Sequence, residues 1–265
     1  MIGLILLAVC ISASTAVSVE TKSVVVTTSM LECAVREAVP GSEGIEIVRL
    51  LPPSACPGHF DLSPRVLPEL RAAVLVLRHD YQDFLDRKLT DMGASNVSMI
   101  EIPTAGSPLI PSNYTDLVKQ VRTWFVSAFP GAGNEPGGEQ QAVVARTNDL
   151  SRKMKNSAGK WQGKPVIAAV NQKEFLEWLG FTVAGVLERP EDTSPRDIEK
   201  LLSVKAEIIV ANYQEGMQGA MSLGKRMNIP VAVLSNFPGV DGYGEDYYQL
   251  LEENIRKLEE AWRKR

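Results

Sequence analysis

The stretch TVAGVLERPEDTSPRDIEKLLSVKAEIIVANYQEGMQGAMSLGKRMNIPVAVLSN, residues 182–236, decides the fold. It contains three apolar runs of strand length, at 182–187, 207–212 and 231–236, and helical segments lie between them. Strands that alternate with helices form parallel sheets covered on both faces, because parallel strands need a crossover connection. The stretch therefore predicts an α/β domain.

Helix-start signals support this alternation. Ser194 and Pro195, with Asp197, provide an N-cap, a proline at the first helical position and an acidic first turn. Nearer the N-terminus, Ser29 followed by Glu32 has the spacing of a capping box. Both signals predict a helix that follows a strand.

The same alternation occurs in two parts of the chain. Further strand-length runs lie at 24–29, 45–50, 73–78, 97–102 and 165–170. We expect an α/β fold of two lobes, each with a mostly parallel four-stranded sheet flanked by helices, joined by a helical segment. The predicted boundaries are 1–16 for a signal peptide or anchor, 22–113 for the N-terminal lobe, 114–161 for a connecting helical segment and 162–265 for the C-terminal lobe.

The first sixteen residues, MIGLILLAVCISASTA, are uncharged and mostly apolar and end in small residues. This pattern is typical of a secretion signal, and the alternatives are an uncleaved membrane anchor or a buried first strand. We expect export to the periplasm or the extracellular space. In an oxidising compartment Cys33 and Cys56 would form a disulfide, with two buried free thiols as the alternative.

Several functional classes are disfavoured by the sequence. The net charge of −4 argues against nucleic acid as a partner. The glycine-rich segment GAGNEPGG, residues 131–138, lacks the following Lys and Ser or Thr of a phosphate-binding loop. The chain also has no Gly-x-Ser-x-Gly elbow and only two histidines, which is a poor basis for a catalytic triad. We therefore predict a binding protein and not an enzyme.

Ligands of open α/β sheets bind beyond the carboxyl ends of the strands, so residues at those ends are candidate contacts. Both histidines, His59 and His79, follow predicted strands. Cys56 and His59 have the C-x-x-H spacing with which a thiolate and an imidazole can hold one metal ion. The alternative is that Pro57 and Gly58 only shape a tight turn. The other strand ends supply Asn171, Asn212, Tyr213, Ser235 and Asn236.

The order of features from Val24 to Gly239 resembles the solute-binding proteins of zinc- and manganese-type ABC transporters, the cluster A-I family. The segment VVVTTSMLECAVREAVPG resembles the first strand and helix of that family, and LLPPSACPGHFDLSP is similar to its Asp-Pro-His loop. Residues 175–239 follow the order of its second lobe closely. The resemblance implies two lobes joined by a long backbone helix, with a metal ion such as zinc or manganese held between the lobes and delivered to an ABC permease in the membrane.

The resemblance carries over to the metal ligands only in part. His59 matches the first metal histidine, whereas SPLIPSNYTDL, residues 107–117, has no histidine where the second is expected. Asn171 stands near the third, with Glu174 as the nearest charged alternative. The two acidic positions fall on Asn212 and on Ser235 or Asn236. Neutral amide oxygens do not balance the charge of a desolvated divalent ion.

Alternatives for the site therefore remain open. In one, a transition metal ion is bound by rearranged ligands. In the others, a different small ligand is held by hydrogen bonds, or a cell-envelope or adhesin-like protein on the same fold binds no metal. The predicted metal ligands are His59, His79 and Glu174, and the predicted cleft residues are Cys56, Asn171, Asn212, Tyr213, Ser235 and Asn236.

Overall fold

The structure of the protein is a computed structural model that describes residues 22–41, 44–129 and 138–265. The predicted signal or anchor at 1–16 lies outside the described residues. Within the described ranges, no helix is long and apolar enough to cross a membrane.

The N-terminal half forms a parallel four-stranded sheet in the order β2-β1-β3-β4. The central strand β1 ends in three valines, and Val24, Val25 and Val26 are completely buried because both faces of the sheet are covered. The strands are β1 (Lys22–Val26), β2 (Ile45–Arg49), β3 (Leu75–His79) and β4 (Ile100–Ile102). The helices are α1 (Ser29–Ala38), α2 (Leu67–Ala72), α3 (Phe84–Asp91) and α4 (Pro111–Ala128).

The C-terminal half repeats this topology with the strand order β6-β5-β7-β8, again all parallel. Its strands are β5 (Pro165–Ala169), β6 (Thr182–Leu187), β7 (Ile208–Asn212) and β8 (Val231–Leu234). Its helices are α5 (Gly138–Ala158), α6 (Lys173–Leu179), α7 (Pro195–Leu202), α8 (Gln218–Met227) and α9 (Tyr247–Arg263). The predicted fold of two parallel four-stranded sheets flanked by helices is confirmed.

A long helix, α5, lies between the two halves of the chain and packs against α1, α4, α6 and α9. Its inner face buries Val143, Leu150 and Met154 in an apolar core that also includes side chains from both sheets. Because this core is continuous, the domain boundaries at 113/114 and 161/162 stay a prediction.

The helix-start signals have different outcomes. Ser194 and Asp197 form the expected capping box at the start of α7. The cap of α1 is Thr28 instead of Ser29, because the Thr28 hydroxyl accepts the backbone N–H of Leu31. The hydroxyl of Ser29 is buried and hydrogen-bonded elsewhere, so the sequence signal is displaced by one residue.

Candidate ligand-binding cleft

A cleft of about 890 Å³ lies at the carboxyl ends of both sheets, and loops of both halves line it. This is the edge at which open α/β sheets bind ligands. The N-terminal half contributes Cys56, Pro57, Gly58, Asp80, Tyr81, Thr104, Gly106, Ser107 and Pro108. The C-terminal half contributes Val170, Asn171, Glu174, Arg189, Asn212, Gln214, Glu215, Asn236 and Phe237.

Hydrogen bonds join the two halves beside the cleft. The Ser29 hydroxyl donates to the carbonyl oxygen of Pro238 at 2.7 Å. Gln214 Nε2 donates to the carbonyl oxygen of Pro53 at 2.9 Å. These contacts are buried or partly buried, so they hold the walls of the cleft at a defined separation.

Glu174, a predicted metal ligand, also joins the two halves. From α6 its Oε2 accepts the backbone N–H of Ser107 in the opposite wall, at 2.6 Å. This approach requires glycine at position 106, where φ is +79° and a Cβ would lie 2.3 Å from Glu174 Oε1. The structure therefore gives Glu174 a contact that positions the walls of the cleft.

His59 lies at the rim of the cleft, in the turn Pro57–His59, and its side chain is 56% exposed. Its Nδ1 is 3.4 Å from Glu191 Oε1 on the opposite half of the molecule. The proline and glycine before it line the cleft, whereas the imidazole does not. Pro57 and Gly58 thus form a tight turn, and the imidazole at its end is exposed to solvent beside the cleft.

His79, a predicted metal ligand, does not line the cleft. It is only 1% exposed at the end of β3, and both ring nitrogens are hydrogen-bonded. Nε2 is 2.9 Å from the Thr28 hydroxyl and Nδ1 is 3.0 Å from the Thr104 hydroxyl. Burial lowers the pKa of His79 to about 4, although the charge of Asp80 acts in the opposite direction. The imidazole is a neutral link between three strand ends.

The charged group missed by the sequence analysis is an ion pair between Arg189 and Glu215. Glu215 follows β7 and its side chain is only 6% exposed, and Arg189 follows β6. Arg189 Nε lies 3.6 Å from Glu215 Oε1, and Asn171 Nδ2 donates a hydrogen bond to the same oxygen. Burial raises the pKa of Glu215, while Asn171 and Arg189 lower it. The loops after β5, β6 and β7 are thereby tied together.

Amide side chains line the C-terminal wall of the cleft. Gln172 Nε2 donates to Asn236 Oδ1 at 2.6 Å, and Asn212 Oδ1 accepts the backbone N–H of Gln214 at 2.9 Å. Two buried amide atoms, Asn212 Nδ2 and Gln172 Oε1, have no hydrogen-bond partner among the described residues. Unpaired buried polar atoms are costly, and Asn212 lines the cleft whereas Gln172 does not, so Asn212 Nδ2 is the natural point of contact for a ligand.

Two predicted cleft residues lie behind the wall instead of in it. Ser235 is completely buried, and its hydroxyl accepts from Gln214 Nε2 and donates to the Phe237 carbonyl. Tyr213 packs on the apolar core with its ring edge-on to Tyr243. Neither residue lines the cleft, because successive residues after a strand point in different directions and only some reach it.

The predicted disulfide between Cys33 and Cys56 is not formed, and both residues are free thiols. Cys33 lies on the inner face of α1 with its sulfur 3.9 Å from the carbonyl oxygen of Glu245, whereas Cys56 lines the cleft. Burial raises the pKa of Cys33 to about 12, so this thiol is protonated at neutral pH.

Metal-ligating side chains are not brought together in the described part of the chain. No group of three or more His, Cys, Asp or Glu side chains there is placed to hold a metal ion. The predicted set of His59, His79 and Glu174 is accordingly separated. Zinc sites in proteins use three or four such ligands.

The cleft between two like sheets and the order of the elements are matched by known proteins. The family described as "Zinc-uptake complex component A periplasmic" matches residues 24–261. The chain belongs to this family. No curated protein sequence matches it significantly.

Solved structures share the fold. A zinc-bound deletion mutant of ZnuA is 12% identical, with a TM-score of 0.72 over 90% of this chain and 96% of that chain. A mutant laminin-binding adhesin from Streptococcus agalactiae is 14% identical, with a TM-score of 0.75 over 91% and 99%. A manganese-bound mutant of a periplasmic metal-binding protein from Candidatus Liberibacter asiaticus is 14% identical, with a TM-score of 0.68 over 89% and 98%. At these identities the likeness establishes the zinc-uptake component A fold alone.

Proposed function

We propose that the protein is the exported solute-binding component of an ABC importer. It would take one solute into the cleft and deliver it to a permease in the membrane. The observation that supports this most strongly is the cleft itself, to which both halves of the molecule contribute loops from the carboxyl ends of their strands. A solute held there contacts both halves at once, so its presence is coupled to their relative position.

The motion on binding would be a small tilt. Ser107 and Glu174, Gln214 and Pro53, and Ser29 and Pro238 link the halves across or beside the cleft. The helix α5 and the continuous core make a wide opening costly, because it would expose buried apolar surface. Release at the permease would then require separation of only a few hydrogen bonds.

The family resemblance implies zinc or manganese as the cargo of such a protein. The donors in this cleft fit a divalent metal ion poorly. Neither imidazole lines it, and the buried carboxylate of Glu215 already has a guanidinium beside it. We therefore treat the importer role and the identity of its cargo as separate proposals.

Transport can be tested in proteoliposomes that contain a candidate ABC permease and its ATPase from the same organism. We expect the wild-type protein to stimulate ATP hydrolysis severalfold. A Gly58→Trp variant should alter this stimulation, because position 58 lies in the cleft wall. A Cβ there would already be 3.7 Å from Arg189 Nη1, so the indole ring would occupy space inside the cleft. A Gly159→Trp control, where a Cβ would meet nothing within 4 Å, should behave as wild type. Equal ATP hydrolysis with and without the protein would refute the proposal.

A further inference from the structure

The cleft contains a guanidinium group and a buried amide donor that has no acceptor among the described residues. Arg189 is 34% exposed and extends toward Gly58 in the opposite wall. It approaches Glu215 most closely through Nε, at 3.6 Å. Asn212 is 1% exposed and lines the same cleft, and its Nδ2 is one of the unpartnered buried atoms. A planar guanidinium and an amide donor in the lining of one cleft suit a carboxylate group.

The same cleft also carries negative charge. Three carboxylates line it, those of Asp80, Glu174 and Glu215, against the single guanidinium of Arg189. Asp80 and Glu174 each accept backbone N–H groups, but a carboxylate has about four acceptor positions and these leave some of them open. A ligand with only an anionic group would meet net repulsion, whereas a ligand that also carries an ammonium group would not.

The size and lining of the cleft favour an organic ligand. Its volume of about 890 Å³ is in the range of small-molecule sites and is far larger than a metal ion needs. Tyr81 and Phe237 line it and provide apolar surface beside the polar groups. A divalent ion would have to displace Arg189 from Glu215 and would find no imidazole in the lining.

We infer that the cleft binds a small organic zwitterion of the α-amino acid class. The ligand carboxylate contacts Arg189 and Asn212 Nδ2, its ammonium group faces the carboxylates, and its side chain packs near Tyr81 and Phe237. The inference names the cargo of the importer and therefore rests on the proposed function.

The test is thermal unfolding of the purified protein after chelator treatment. The probes are the proteinogenic amino acids one at a time, with zinc chloride and manganese chloride in parallel. A ligand that binds only the folded state raises the melting temperature, and the stabilisation is about 2.7 kcal/mol at a hundredfold excess over Kd. For each amino acid that binds, the corresponding amine without the carboxylate and the acid without the amino group should both bind at least about tenfold more weakly.

The decisive variant is Asn212→Asp. It keeps the oxygen that accepts the Gln214 N–H and replaces the unpartnered donor Nδ2 by a charged acceptor. Amino acid binding should weaken at least about tenfold, since a repulsive pair replaces a hydrogen bond. If the cleft were a metal site, the same change would strengthen zinc binding. Asn148→Asp, on the exposed surface of α5, is the matched control and should bind as wild type.

The outcomes separate this inference from the proposed function. Amino acid binding that is lost in Gly58→Trp and weakened in Asn212→Asp supports it. Zinc or manganese binding that is lost in Gly58→Trp overturns the amino acid inference, as does the failure of every amino acid to bind. In either case, stimulation of the permease ATPase can still support the importer. Loss of that stimulation refutes the importer, whatever the cleft binds.

Discussion

The buried His79 predicts a specific pH dependence of stability. Its pKa is about 4 in the folded protein and about 6.5 in the unfolded chain, because burial disfavours the imidazolium. The neutral side chain lies between Thr28 and Thr104 and stacks on Tyr81. The unfolded state therefore takes up a proton first as the pH falls, and protonation favours unfolding.

The sign and size follow from these two pKa values. The contribution of His79 is fully present above about pH 6.5, declines as the pH falls and levels off below about pH 4. The whole difference corresponds to about 3 kcal/mol, and about 2 kcal/mol of it is lost between pH 7 and pH 5. Urea unfolding, followed by tryptophan fluorescence at both pH values, measures this loss.

The comparison is between wild type and His79→Gln. The variant is less stable at pH 7, because hydrogen bonds are lost, but its free energy of unfolding should fall about 2 kcal/mol less between pH 7 and pH 5. Equal pH dependence in wild type and His79→Gln would refute the reasoning.

Three further predictions concern other contacts. Asn254→Ala should lower the free energy of unfolding by about 2–4 kcal/mol, because the Asn254 amide hydrogen-bonds both the N–H and the carbonyl of buried Ser235. A loss below about 1 kcal/mol in urea unfolding would contradict this. Glu174→Ala should cost about 1–2 kcal/mol in the same assay by removing the Ser107 contact, whereas Glu177→Ala on the exposed face of α6 should cost less than half of that. Cys56 should react with a thiol reagent in the native protein and Cys33 only after unfolding, as peptide mapping of the labelled chain would show; early labelling of Cys33 would contradict its burial.

The sequence predicts the fold well because parallel strands that are buried on both faces are short and apolar. Val24–Val26 and Ile208–Val210 are of this kind, and the helix signal at Ser194 leaves little freedom in the order of elements. The one-residue error at Thr28 arises because both Thr28 and Ser29 can cap a helix. Only the tertiary contact of Ser29 with Pro238 distinguishes them.

The site is less predictable, because the position of a residue just after a strand does not determine how deeply its side chain is buried. His79 and Ser235 were placed at the correct edge, yet both are buried behind the cleft. Arg189 and Glu215 were missed although each lies within three residues of a strand end, so the strand-end rule applied a little further along the chain would have found them. The C-x-x-H spacing of Cys56 and His59 gave no information on where the imidazole points.

The most direct test of the central claim is native mass spectrometry of the protein purified by gentle methods after export. We expect a bound population that is heavier by one small organic molecule, and we expect Gly58→Trp to lose this population while Gly159→Trp keeps it. A mass increment of one or more zinc or manganese ions, present in the wild type and absent from Gly58→Trp, would contradict the account.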